Sequence, residues 1–172
     1  MKNTLIIIFA AGLIFLSVTA FAQSTLKIGH VDINLILNSL PARDSAAAIM
    51  EKETKEVQAT YEEMTAEYNR IFDDYEKVAS TLPETVKKVK EAELLDKQKR
   101  LEEFQQNATS KLDNRNAELL KPILDKILKV VDKVAADNGF TYILDVSKGS
   151  VVFTSKDSQN INPLVLKILK PI

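Results

Sequence analysis

His30 is the one histidine in 172 residues, and there is no cysteine. A zinc site or a Cys/His nucleophile therefore lacks its ligands. Carboxylates do occur in adjacent pairs, Glu62-Glu63 and Asp73-Asp74, the residue type that acid–base or metal chemistry uses. They stand between the heptad positions of a charge-rich helix, where a solvated face explains them. Four glycines leave no loop to cradle a phosphate. His30 reads as a residue packed or hydrogen-bonded within a small sheet. These residues point away from an enzyme and imply no metal and no cofactor.

Contact chemistry is better represented. Tyr61, Tyr68 and Tyr75 recur every seven residues. The plain use of such a ladder is packing against a partner helix. Tyrosine is also a large, amphipathic contact residue with little side-chain entropy to lose. Met50, Met64 and Phe72 add adaptable apolar surface nearby. A thin two-helix arm cannot bury every one of these side chains. Met50, Tyr61, Met64, Tyr68, Phe72 and Tyr75 are therefore the candidate binding residues.

The elements that position them follow from periodicity. Val57, Tyr61, Met64, Tyr68, Ile71, Tyr75, Val78 and Leu82 alternate steps of four and three, a sustained heptad stripe. No glycine or proline lies between Ala42 and Ser80. At ~1.5 Å per residue that stretch makes a rod of roughly 58 Å, too long to bury in one small domain. Pro83 fits the first turn of a second helix running toward Asn138, with Thr81 as its cap. Folding the chain back at residues 81–84 pairs Val57 with Ala108, Tyr61 with Phe104, Met64 with Leu101 and Ile71 with Leu94. Each pair of residue numbers totals 165, the signature of an antiparallel hairpin. Pro122 interrupts or kinks the second helix, which sets the junction between arm and body there.

The two ends of the chain have a different character. Ile28 and His30 fall on one side of a strand and Gly29 and Val31 on the other. Asp32 caps a short helix over residues 33–38, and Pro41 closes the segment. Asn138-Gly139 stops the long helix. Phe140–Val146 and Val151–Thr154 then predict a β-hairpin turning at Gly149. Asn162-Pro163 opens a last short helix.

The first 22 residues read as an export leader. Lys2 is followed by an apolar run from Leu5 to Val18, then by Ala20-Phe21-Ala22. That is the pattern of a cleaved signal peptide, with the mature chain starting near Gln23. The run falls short of the ~20 residues a membrane span needs, so no stable membrane anchor is expected. The domains are then 1–22 leader, 23–41 strand and short helix, 42–121 hairpin arm, and 122–172 body helix, β-hairpin and terminal helix. The fold class is α+β, mostly α: a small β-body carrying a long coiled-coil arm.

The whole chain holds 23 basic and 24 acidic residues, which offers no electrostatic case for nucleic acid. Residues 42–80 carry five basic and ten acidic side chains, whereas residues 84–118 carry eight of each.

In the order of its parts the chain resembles the Skp (OmpH-like) periplasmic chaperones. The resemblance rests on the opening Lys27-Ile28-Gly29-His30-Val31-Asp32, the long charged hairpin and Asn138-Gly139-Phe140-Thr141-Tyr142-Ile143-Leu144-Asp145. Val151-Val152-Phe153, Ile161 and the helix from Leu164 to Leu169 continue it. It implies a homotrimer whose subunits share a β-barrel, with arms that hold unfolded outer-membrane proteins in the periplasm without ATP. The candidate binding residues would then be client-binding residues. The best-known members are strongly basic and this chain is slightly acidic, so no lipopolysaccharide site is carried over. The competing expectation is a non-catalytic envelope scaffold or spacer that binds one folded partner.

Overall fold

The computed structural model describes residues 26–170, and the expected leader with its expected cleavage point lies outside them. Strand β1 (Ile28–Val31) leads into α1 (Ile33–Asn38), α2 (Pro41–Val78) and α3 (Glu84–Asp137). Then come β2 (Tyr142–Asp145), β3 (Gln159–Asn160) and α4 (Asn162–Leu169). This is the expected α+β architecture, a small strand body with a long helical arm.

The body forms where the chain ends meet. β1 lies in the middle of a three-stranded sheet in the order β2-β1-β3, parallel to both neighbours. Gly29 and Val31 are buried and Ile28 is exposed, which is the alternation expected of a strand with one covered face. Val31, Ile36, Leu40, Ile127, Val131, Val134, Ile161 and Val165 form the core. The C-terminal turns of α3 thus lie under the sheet between α1 and α4. Ile36, Ile127 and Val165 are fully shielded, each worth about 1.5–3 kcal/mol of burial.

Local signals account for most boundaries. Asp32 caps α1, its Oδ1 accepting from the Leu35 N–H at 2.8 Å. Gly139 ends α3 at φ +66, a conformation only glycine adopts without strain. Lys27 clasps that terminus: its Nζ donates to the Asn138 carbonyl at 2.7 Å and sits 4.2 Å over the Phe140 ring.

Several expectations need correcting. Val151–Thr154 forms no strand, and the β-hairpin is absent. The turn itself exists, with Gly149 at φ +71, but β2 keeps its outer edge open. The chain instead crosses to the far side of β1, where Gln159–Asn160 pair with it. Val152 and Phe153 stay 98% and 79% exposed. Pro41 starts α2 rather than closing the segment before it. Thr81 does not cap α3; its hydroxyl donates to the Val78 carbonyl at 2.9 Å and finishes α2, while Pro83 takes the cap position. Asn162 does not cap α4; it is buried, accepting from the Asp32 N–H at 2.9 Å. Nor does α3 break at Pro122. Proline removes one backbone donor, and the turns on either side carry the helix through.

Candidate functional site

The arm is the α2–α3 hairpin, and four side-chain contacts fix its register. Glu53 meets Arg115 at 3.0 Å, the Tyr61 ring stacks on Phe104 at 6.5 Å, Glu67 meets Lys97 at 2.7 Å, and the Tyr75 hydroxyl donates to Glu91 at 2.7 Å. These four pairs total 168, 165, 164 and 166, so the hairpin folds about the predicted centre. No residue between 47 and 122 belongs to the body core. The arm therefore rests on its own seam.

That seam is thin. Only Ala46 in α2, and Leu94 in the part of α3 that forms the arm, are buried. Met50, Tyr61, Met64, Tyr68 and Tyr75 are half-buried, and Phe72 is exposed. Tyr61 and Tyr75 reach across to α3, while Tyr68 stacks on Phe72 of its own helix at 6.2 Å. The six candidates thus divide: the tyrosines chiefly hold the seam, and Phe72 stands outside it. A carboxylate acceptor at Glu91, followed by partial burial, pushes the Tyr75 phenol above its ordinary value. An open cleft of about 740 Å³ sits near the root of the arm, between Val57, Phe104 and Leu112 and rimmed by Glu53, Lys111 and Arg115.

Leu94 and Leu95 are adjacent apolar residues of α3, and composition alone does not tell them apart. Leu94 is buried and Leu95 is 67% exposed. The signal was present: the seven-residue series Leu94, Leu101, Ala108 fixes the inward face, and the next residue along is turned ~100° away. Lys97 was also overlooked. It occupies the seam opposite Tyr68, and its ammonium reaches Glu67 while its stem packs inward. Glu67 accordingly titrates below its ordinary value, through its hydrogen bond to Lys97.

His30 lies on the sheet, its Nδ1 2.7 Å from Ser158 Oγ, the hydrogen-bonded role expected of it. Among the described residues no helix is long and apolar enough to cross a membrane.

Residues 27–169 match the family model described as outer membrane protein (OmpH-like). The chain belongs to the OmpH-like family. Among curated relatives it is 28% identical over 160 residues to a chaperone protein Skp of Photorhabdus luminescens, covering 91% of this chain and 93% of that one. A chaperone protein Skp of Photorhabdus laumondii is 27% identical over the same length and coverage. Among solved structures it is similar to a putative outer membrane chaperone (OmpH-like) from Caulobacter crescentus CB15. There the TM-score is 0.68 at 12% identity, with 83% of this chain and 82% of that one covered. At that identity the likeness concerns the fold.

Proposed function

We propose that this OmpH-like protein is a periplasmic holding chaperone that binds unfolded outer-membrane proteins and keeps them from aggregating, without ATP and without catalysis. The observation that carries the reading is an arm too thin to bury its own contact side chains. A seam of half-buried tyrosines and methionines, with Phe72 and Leu95 left open, offers dispersed apolar contacts of the kind that tolerate many sequences. Curated relatives that match along almost their whole length are named chaperones, which supports it.

In this reading the arm ends and the body begins near Pro122, and the body is shared among three subunits. On the sheet face away from the core, Ile28, Tyr142 and Leu144 are 44%, 59% and 43% exposed. β2 has an open edge, and Val152 and Phe153 are bare. Free strand edges and an uncovered apolar face are surfaces that assembly with further copies would cover. Export with a leader cut near Gln23 brings the chain to the compartment where such clients are unfolded. Lipopolysaccharide has no evident place in a slightly acidic chain.

The test dilutes a urea-unfolded outer-membrane β-barrel into buffer with stoichiometric protein and follows turbidity. Suppressed aggregation is expected. Undiminished aggregation at severalfold excess contradicts the reading, as does a stable complex with one folded partner while unfolded barrels are ignored. Met50, Tyr61, Met64, Tyr68, Phe72 and Tyr75 are the proposed contact residues. Changing Tyr61, Tyr68 and Tyr75 together to serine is expected to weaken holding more than assembly.

A further inference from the structure

The sheet face turned away from the core carries no lysine, arginine, aspartate or glutamate. Strand alternation and the pairing register put Ile28 and His30 of β1, Tyr142 and Leu144 of β2, and Asn160 of β3 on it. Ile28, Tyr142 and Leu144 are exposed, and His30 is half-buried. In a chain of which 27% is charged, an uncharged apolar face selects its occupant. A patch of net charge repels a second copy of itself, whereas an uncharged one can meet it. Another copy of this chain is the partner that suits the face.

His30 stands in the middle of that face, between Leu144 on one side and Asn160 on the other. It is the only histidine of the chain. Its Nδ1 lies 2.7 Å from Ser158 Oγ, a bond open to either protonation state: the hydroxyl donates to a neutral ring or accepts from a charged one. The charged groups of the surrounding elements are engaged elsewhere. Asp32, just beyond β1, caps α1. Asp145 of β2 lies opposite buried Val31 and accepts from the Ser147 N–H. Lys27 lies over the Phe140 ring, and the helices pack against the other side of the sheet. Lys156 and Asp157, one of each sign, are exposed just before Ser158. Tyr142 is the other titratable group on the face.

We propose that His30 is a pH-sensitive lock on assembly of the body: neutral, it is covered by another copy of the chain; protonated, it opposes that contact. Histidine is the side chain whose charge ordinarily changes between about pH 5 and 8. A charge covered by apolar surface with no carboxylate to pair it is strongly disfavoured relative to one in contact with water. A free subunit leaves the ring at the edge of the solvent, so it takes up a proton more readily than an assembled one. Assembly therefore binds fewer protons, and it weakens as pH falls through the range in which the free subunit's ring becomes charged. Each chain brings one such ring, so the effects multiply across the copies.

This rests on the shared body proposed above, and the test separates the two. Light scattering over a dilution series of the mature protein, at about pH 7.5 and about pH 5.5 and fixed ionic strength, stays above the range in which ordinary carboxylates titrate. Assembly is expected to weaken about fivefold per chain at the lower pH, about a hundredfold for three copies. His30→Gln, neutral at both pH values, is expected to assemble equally at both. In the unaltered protein the single imidazole gives one ring C–H resonance. Its titration midpoint is expected at lower pH in concentrated, assembled samples than in dilute, dissociated ones. Assembly that is unchanged between the two pH values, a response that persists in His30→Gln, or a midpoint independent of concentration overturns the lock and leaves the shared body standing. A monomer at micromolar concentration and the higher pH overturns both.

Discussion

Gly29→Ala tests how tightly the two ends of the chain are locked together. Gly29 sits in the middle of β1 on its buried face, opposite Ile143 of β2. A Cβ there would lie 2.8 Å from Cε1 of Phe140, 3.1 Å from its Cδ1 and 2.9 Å from Cδ1 of Ile143. Carbon atoms pack at about 3.5–4.0 Å, so two side chains must each retreat by more than half an ångström. The Ile143 methyl has some freedom. Phe140 has little, because the Gly139 turn precedes it and the Lys27 ammonium lies on its ring. Overpacking of this kind costs about 1–3 kcal/mol, and for a chain of this size about 2–4 °C in Tm per kcal/mol. The assay is thermal unfolding followed by circular dichroism, for Gly29→Ala, Phe140→Leu and the double variant. The smaller side chain at 140 should admit the methyl, so the double variant should be more stable than the two single losses predict by about 1 kcal/mol. A Gly29→Ala protein within 0.5 kcal/mol of the parent, or strict additivity in the cycle, would refute the packing described for this end of the sheet.

Other expectations follow from the same geometry. Ile127→Ala removes a fully buried side chain of α3 beneath the sheet and should cost about 2–5 kcal/mol, read as a loss of body unfolding temperature. Phe104→Ala deletes the ring that stacks on Tyr61; at half burial about 2 kcal/mol is expected, appearing as faster amide exchange along the arm with the body unchanged. Burial raises the Asp145 carboxyl, but Ser147, whose N–H donates to Oδ1 at 2.9 Å, outweighs it together with the nearby Ile33 N–H and Lys148 and holds the group below its ordinary value of 3.8. A depressed carboxyl stabilises the fold above the unfolded-state pKa and loses that contribution as pH falls through the folded one. Asp145→Asn should therefore flatten the fall of Tm between pH 5 and 3; an unchanged slope would contradict the bonding described.

The arm was legible in the sequence because its information is local and repeated. A heptad stripe needs no knowledge of distant residues, and the constant total of facing residue numbers predicted Tyr61 against Phe104 from the chain alone. Asp32 and Asn138-Gly139 were legible for the same reason, since a cap acts within one turn. The body was less so. Val151–Thr154 has every local mark of a strand, yet pairing depends on which edges and faces are present, and these come from residues more than a hundred positions away. Parallel pairing of β1 with both β2 and β3 left no marker near either strand. In the arm, Leu95 resembled Leu94 in composition and differed only in angle. His30 was assigned to a sheet correctly, but its partner Ser158 lies 128 residues away, just before a two-residue strand too short to announce itself.

The central claim, a shared body whose arms hold an unfolded client, is tested most directly by the solution mass of the mature protein, alone and with a urea-diluted outer-membrane β-barrel, using light scattering coupled to size exclusion. The account predicts three copies of the chain alone and a soluble complex of three copies with one barrel chain. A monomer at micromolar concentration, or a trimer that elutes unchanged while the barrel aggregates, would contradict it.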